Sequence, residues 1–229
     1  MSLKLKVLGL GVLAIMAMSA FAAISASAKV AGHFTHEGTA NHVIVKGEES
    51  FHTSHFLQFQ HTNSEGKADG KPIECTEAKY EGTAATKTVT VIQMTAAYSG
   101  CRTQEGAAGE VSVTMNGCSY TFFSGGTKHG TVAVDCPVGS AIEVHHPNCT
   151  ITIGAQTPTT NGLTNGVSYT TTVEGKHALT ANVTVGNIAG QYHGGICIFL
   201  GTPQNFDMNG SVTIKGFNTD GTQAGITHT

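Results

Sequence analysis

The 229-residue sequence contains no tryptophan and few charged residues. Lysine, arginine, aspartate and glutamate make up 12% of the chain, about half of the roughly 25% usual in globular proteins. Because sugar rings are commonly held against tryptophan, its absence leaves five tyrosines for an aromatic binding platform. The formal net charge of −3, with no basic stripe, argues against nucleic acid and anionic membrane surfaces as partners.

Sequence motifs of common catalytic sites are also absent. The chain has no G-x-S-x-G, no H-E-x-x-H and no P-loop. Its four aspartates, Asp69, Asp135, Asp207 and Asp220, form no D-x-D arrangement, so a dedicated calcium loop is not expected. We therefore predict a protein that is not an enzyme.

The N-terminus has the pattern of a secretory signal peptide. Lys4 and Lys6 precede an apolar run that ends in small residues at Ala28. The run is too short for a typical membrane span. We expect cleavage after Ala28 and a secreted, extracellular chain of residues 29–229, with no membrane span. Its formal charge changes from −3 to −5, because two lysines and no acidic residue leave with the signal peptide.

The rest of the chain lacks the apolar spacing of an amphipathic helix. Alternating segments rich in threonine and valine recur between glycine, asparagine and proline turns. The clearest of these segments span residues 41–46, 86–94, 110–115, 118–123, 131–136, 141–146, 149–154, 167–175, 177–185, 195–200 and 210–217. The pattern predicts an all-β fold, an antiparallel β-sandwich or barrel-like structure with disulfides and no significant helix after the signal peptide.

The domain organisation depends on one small, polar segment at residues 103–110. This segment could separate two sub-lobes, 29–105 and 106–229. It could equally be a long loop within one domain. We favour a single all-β domain over residues 29–229, with the segment as an exposed connection.

Six cysteines in an exported chain predict a disulfide framework. One pair follows from a hairpin, because the turn residues and the interval between Cys118 and Cys136 are both centred on Thr127. Folding about that centre sets the two cysteines opposite each other and Tyr120 opposite Val134, all on one face. We therefore predict a Cys118–Cys136 disulfide.

The other four cysteines do not pair unambiguously. Proximity favours Cys75 with Cys101 and Cys149 with Cys197, while the two other arrangements of these four remain open. Thiolate metal ligation is not expected, because the chain has no C-x-x-C pair.

Half of the twelve histidines lie between residues 32 and 61. If residues 48–49 form the loop of a hairpin, His42 lies opposite His55 and His36 lies opposite His61. Two imidazoles on one face could hold Zn²⁺ or Cu²⁺ loosely. The alternative is that these four histidines are ordinary solvated strand residues.

The run HHPNC at residues 145–149 also combines histidine and cysteine. Neighbouring histidines on a strand point to opposite faces, and Pro147 turns the chain. We interpret the run as a turn rather than as a copper site.

Four blocks, NGCSYTF, GTVAVDCP, CTITIGAQ and the closing GFNTDGTQAGITHT, resemble those of a group of secreted six-cysteine, Gly/Thr-rich β proteins of soil bacteria. The resemblance covers most of the chain after the signal peptide. It implies the same order of features, from signal peptide through histidine-containing strands to a Gly/Thr-rich last strand. It assigns no activity to any residue.

Together these patterns predict a non-catalytic extracellular or cell-surface module with a structural or interaction role. Its partner is expected to be an envelope component or a second copy, because strands with few lysines leave their edges open to pairing. The alternative is a histidine-dependent zinc- or copper-binding extracellular protein.

Overall fold

A computed structural model describes residues 32–40, 42–50, 57–62, 72–103, 106, 109–126, 128–157, 166–174, 176–194 and 205–229. The expected signal peptide, the predicted strand 195–200, His55 and Cys197 lie outside these residues. The described residues form nineteen β-strands and no helix. Accordingly, no helix long and apolar enough to cross a membrane occurs in this part of the chain.

The strands are β1 (Phe34–His36), β2 (Val43–Ser50), β3 (Leu57–Thr62), β4 (Ile73–Cys75), β5 (Glu77–Ala84), β6 (Thr88–Val89), β7 (Val91–Ser99), β8 (Arg102–Thr103), β9 (Ser112–Thr114), β10 (Ser119–Ser124), β11 (His129–Asp135), β12 (Ile142–His146), β13 (Cys149–Ile153), β14 (Gly166–Glu174), β15 (Lys176–Ala189), β16 (Gln191–His193), β17 (Asn205–Phe217), β18 (Gln223–Ala224) and β19 (Ile226–His228).

Eight of these strands form a closed antiparallel barrel. They follow the order β15-β14-β11-β10-β7-β5-β2-β17, and β17 pairs again with β15 to complete the ring. The predicted antiparallel all-β fold is thus confirmed, in its barrel form. β2, β5 and β7 precede residues 103–110 and the other five barrel strands follow them, so the barrel is built from both sides of that segment.

The barrel interior is a packed core. Alternate side chains along each strand point inward, as the two-residue period of a strand requires. A cavity of about 10 Å³ remains beside Tyr80, Tyr120, Val132, Val183 and Met208. An eight-stranded barrel either fills its interior with side chains or holds one small ligand. This volume is at most that of one water molecule, so the barrel has no chamber for a ligand here.

The hairpin of β10 and β11 has the predicted register. Tyr120 pairs with Val134 and Phe122 with Val132, and Cys118 forms a disulfide with Cys136. Its second face is buried in part: Ser119 is 6% exposed, whereas Thr131 and Asp135 are exposed. The hydroxyl of that serine accepts a hydrogen bond of 2.7 Å from the side chain of Gln93.

The remaining cysteines agree with the favoured pairing as far as they are described. Cys75 forms a disulfide with Cys101, and Cys149 is disulfide-bonded. Its predicted partner, Cys197, lies outside the described residues. No described cysteine is free.

The prediction of a hairpin turn at residues 48–49 is wrong. β2 runs through these residues and pairs with β5 on one side and β17 on the other. Glu48 lies opposite Lys79 of β5, and opposite charges on facing positions stabilise a strand pair. The dipeptide also lacks the glycine or asparagine that a tight hairpin turn favours.

A three-stranded sheet of β19, β1 and β6 lies across one end of the barrel. Phe34 packs edge-on against Tyr169 with ring centroids 5.1 Å apart. His228 lies 4.4 Å from the same tyrosine ring, and its Nε2 is 2.8 Å from the hydroxyl of Ser124 at the end of β10. These contacts close this end with aromatic side chains.

Removal of the hairpin disulfide should destabilise the barrel. The bond joins residues 18 positions apart, and a cross-link over such a loop contributes about 2–4 kcal/mol by restricting the unfolded chain. We expect the Cys118→Ser, Cys136→Ser double variant to lower the free energy of unfolding by this amount in urea titrations. An unchanged midpoint with an unchanged slope would contradict the assignment.

Stability should also fall at alkaline pH because of the interior tyrosines. Burial raises the pKa of Tyr120 to about 12, and burial also raises the pKa of Tyr98, whose hydroxyl donates to Tyr120 over 2.9 Å. An unfolded chain ionises tyrosine near pH ~10. The stabilisation is therefore complete below about pH 10 and is lost as the pH rises through about 12. In an alkaline pH titration, phenolate absorbance and circular dichroism should change together in one step. Ionisation of all tyrosines near pH ~10 while circular dichroism still shows a folded barrel would refute this.

Candidate binding site on the four-stranded sheet

Of the four predicted metal-ligating histidines, the structure describes His36, His42 and His61, while His55 lies outside the described residues. His36 is buried on β1, where the backbone N–H of Gly38 donates to its Nδ1 over 3.2 Å. His42 is exposed just before β2. His61 lies opposite Phe206, where β17 begins, while β1 lies at the end of the barrel where β17 finishes.

His36 is buried because β1 is part of the sheet that closes the barrel. Phe34 and His36 alternate with Thr35 and face the barrel, so the burial follows the two-residue period. Among the described residues no group of three or more histidine, cysteine, aspartate or glutamate side chains could hold a metal ion. Zinc or copper binding by His36, His42, His55 and His61 stays a prediction. The hairpin that was expected to place these histidines opposite one another does not form.

A second sheet at the opposite end of the barrel carries a different polar surface. Its strand order is β16-β13-β12-β9. One face is apolar and buried, with Ile142 and Val144 on β12 and Ile151 and Ile153 on β13. This alternation anchors the sheet on the protein core and turns the other side chains outward.

Gln156 fastens this sheet to the barrel. Its backbone exchanges two hydrogen bonds with Val134 on β11, of 2.8 and 2.9 Å. Its side-chain amide donates to the carbonyl of Ala189 and accepts from the N–H of the same residue, each over 2.8 Å. One glutamine thus joins the end of β13 to two barrel strands.

The outward face carries two rows of polar side chains that cross the four strands. Opposite residues in an antiparallel sheet lie side by side on one face. The first row is Ser112, His145, Thr150 and His193, and the second is Thr114, Glu143, Thr152 and Gln191.

Two histidines on this face are held by hydrogen bonds. Nδ1 of His145 lies 3.0 Å from the hydroxyl of Thr150, and its Nε2 lies 3.0 Å from the carboxylate of Glu143. Nε2 of His193 lies 3.2 Å from the hydroxyl of Thr152. The rings are therefore oriented by neighbours on the same sheet.

A groove of about 830 Å³ runs along the edge of this face. It is lined by Ala141, Thr152, Gly154, Ala155, Gln156, Ala189, Gly190, Gln191, Tyr192 and His193. Among these lining residues there is no carboxylate, lysine, arginine or cysteine. Burial raises the pKa of Tyr192 to about 12, so its hydroxyl stays neutral at physiological pH. The groove therefore offers uncharged hydrogen-bonding groups.

A second depression of about 470 Å³ adjoins the groove at His193. His145 and His146 border it from β12, and the hairpin turn of Pro147 and Asn148 closes it. The turn was expected from the sequence. The proximity of β16 was not, because Gln191–His193 is too short a segment to carry a strand pattern of its own.

Comparisons with protein-family models, curated proteins and solved structures find no match for this chain.

The Gln156 contacts predict a local loss of stability in a single variant. In Gln156→Ala the N–H and carbonyl of Ala189 lose their side-chain partner, and replacement by water should cost about 1 kcal/mol. Hydrogen exchange at the Ala189 amide should accelerate. The matched variant Gln223→Ala, at an exposed position of β18, should leave that amide unchanged; equal exchange rates in both variants would contradict the role of Gln156.

Proposed function

We propose that this protein is a secreted, non-catalytic binding module that holds a segment of a polysaccharide chain in the groove of the four-stranded sheet. The observation that carries the proposal is the groove itself, a surface channel of about 830 Å³ lined by neutral polar and small residues. The module would act outside the cell or at its surface.

The position of the groove favours a chain-like ligand. The cavity described inside the barrel measures about 10 Å³, which is too small for a small-molecule ligand. The groove is open to the surface along its described lining, as the binding of a segment of a chain requires. The small residues Gly154 and Ala155 at its border let a bulky ring approach the backbone.

The chemistry of the groove suits sugar hydroxyls. Each hydroxyl both donates and accepts hydrogen bonds, and a glutamine amide offers both functions in one side chain. Gln191 is exposed on the outward face beside Thr152 and His193. Such a surface recognises sugar through hydrogen bonds rather than by stacking, which fits a chain without tryptophan.

The same residues do not favour hydrolysis of the bound chain. A glycosidase needs two carboxyl groups at a controlled separation across the scissile bond. Glu143 is the carboxylate on the outward face, and it is paired with His145 over 3.0 Å. The arrangement therefore supports binding rather than cleavage.

Disulfides support an extracellular location. Such bonds persist in oxidising compartments and are rare in the cytosol. Two are described, Cys75–Cys101 and Cys118–Cys136, and Cys149 is also bonded. The predicted signal peptide leads to the same compartment.

Blocking the groove with a large side chain tests the proposal. A Cβ at Gly154 meets nothing within 4 Å, so Gly154→Phe should fold normally and fill the groove. We expect the wild-type protein to be retarded in affinity gels that contain at least one of xylan, dextran, starch or pectin, and Gly154→Phe to lose most of that retardation.

The control places the same aromatic residue elsewhere. Thr170 is exposed on β14 of the barrel, and Thr170→Phe should keep wild-type retardation and a wild-type melting temperature. No retardation of the wild-type protein on any of these polysaccharides, or equal retardation of both variants, would overturn the groove as the binding site.

A further inference from the structure

Three histidines line the depression beside the groove. Two of them lie outside the groove in which the sugar chain is proposed to bind. His145 and His146 border the depression from β12, and His193 belongs to both the depression and the groove. A chain in the groove therefore passes directly beside this cluster. The inference below rests on the proposed function and specifies its ligand.

We infer that the depression binds an anionic oxygen group, a carboxylate or a sulfate, carried by the bound polysaccharide, and that it does so when its histidines are protonated. The ligand is then an acidic polysaccharide, and the protein captures it more strongly in mildly acidic surroundings.

The charge balance of the depression changes sign with pH. Histidine is the side chain that can change between a neutral and a positively charged form near physiological pH. Among the described residues, Glu143 is the acidic side chain bonded to His145, and those lining the depression include no lysine or arginine. On the outward face, neutral imidazoles leave the single negative charge of Glu143, whereas imidazolium at both His145 and His193 against that carboxylate leaves an excess of one positive charge.

The hydrogen bonds explain how protonation turns the site toward a ligand. A neutral His145 donates from Nε2 to Glu143 and accepts at Nδ1 from the hydroxyl of Thr150, at the observed 3.0 Å distances. An imidazolium donates from both nitrogens. The hydroxyl of Thr150 must then accept from His145, and its own hydrogen becomes available to an outside oxygen.

A second histidine makes a contact that joins the two rows. Nε2 of His193 lies 3.2 Å from the hydroxyl of Thr152, which also lines the groove. This hydroxyl also donates to the carbonyl of Gln191 over 3.5 Å. Protonation of either histidine therefore adds a positive charge beside the bound chain, and at His145 it also reorients a donor.

The scaffold keeps the three rings in place. His145 and His146 precede a two-residue turn, and the chain returns at Cys149, which pairs with His146 across the hairpin and is disulfide-bonded. Pro147 restricts the backbone of that turn. Little conformational freedom is lost when a ligand binds to groups already positioned in this way.

Two forms of one polysaccharide test the inference. Polygalacturonate and its fully methyl-esterified form share a backbone and differ in their carboxylates. We expect the wild-type protein to bind polygalacturonate about tenfold more tightly at about pH 5.5 than at about pH 7.5, the scale of one or two charge-assisted hydrogen bonds. The esterified form should show no such gain. The same binding measurement on dextran sulfate and on uncharged dextran shows whether a sulfate group gives the same gain as a carboxylate.

Single variants locate the effect. His145→Gln and His193→Gln should each lose most of the gain at acidic pH while keeping wild-type melting. His129→Gln removes an exposed histidine of β11 that lies outside both the groove and the depression, and it should keep the full gain. A gain that persists in both site variants, or that His129→Gln reduces equally, would show that the net charge of the protein acts instead and would overturn the inference.

The outcomes for this site and for the groove are distinguishable. If the esterified chain binds and the acidic chain shows no gain at low pH, this inference fails and the groove proposal stands. If the acidic chain binds through His145 and His193 but Gly154→Phe has no effect, the anion site stands and the groove proposal fails. Absence of binding by every chain at both pH values would overturn both.

Discussion

The pairing of β15 with β17 is the contact on which the rest of the structure depends. These two strands exchange backbone hydrogen bonds from Leu179 opposite Ile214 to Ala189 opposite Asn205, with an irregularity between Val185 and Ile188. β17 also pairs with β2, so this one strand joins the first part of the chain to the last. Without that closure the sheet would have two long open edges and no enclosed core.

Closure also explains why the candidate site lies outside the barrel. A ring of eight strands has room for its own side chains, and here tyrosine, valine and methionine side chains leave a cavity of only about 10 Å³ between them. The far end of β15 reaches Ala189, where Gln156 fastens the four-stranded sheet. The sheet buries one face against the core and leaves its polar face exposed. The groove and the histidine-lined depression are two parts of that face, and they share His193.

Local patterns predicted much of this molecule because they act between close neighbours. The hairpin of residues 118–136 has its predicted register because turn residues, facing hydrophobes and two cysteines all agree on one alignment. β12 and β13 were recognisable from their alternation. The short strands β1, β8, β16 and β19 were not, since two or three residues form a strand only when a longer neighbour supplies their hydrogen bonds.

The sequence by itself determined an all-β chain, the faces of strands such as β10 to β13 and the disulfides Cys75–Cys101 and Cys118–Cys136, because alternation and turn chemistry operate over a few residues; β5 was not predicted. Only the tertiary structure decided that Glu48 stays within a strand opposite Lys79 and that His36 is buried. It also decided that Thr150 lies between His145 on one neighbouring strand and His193 on the other. These outcomes depend on pairings between residues far apart in the chain. Such pairings are chosen by closure of the whole barrel, which no short stretch of sequence encodes.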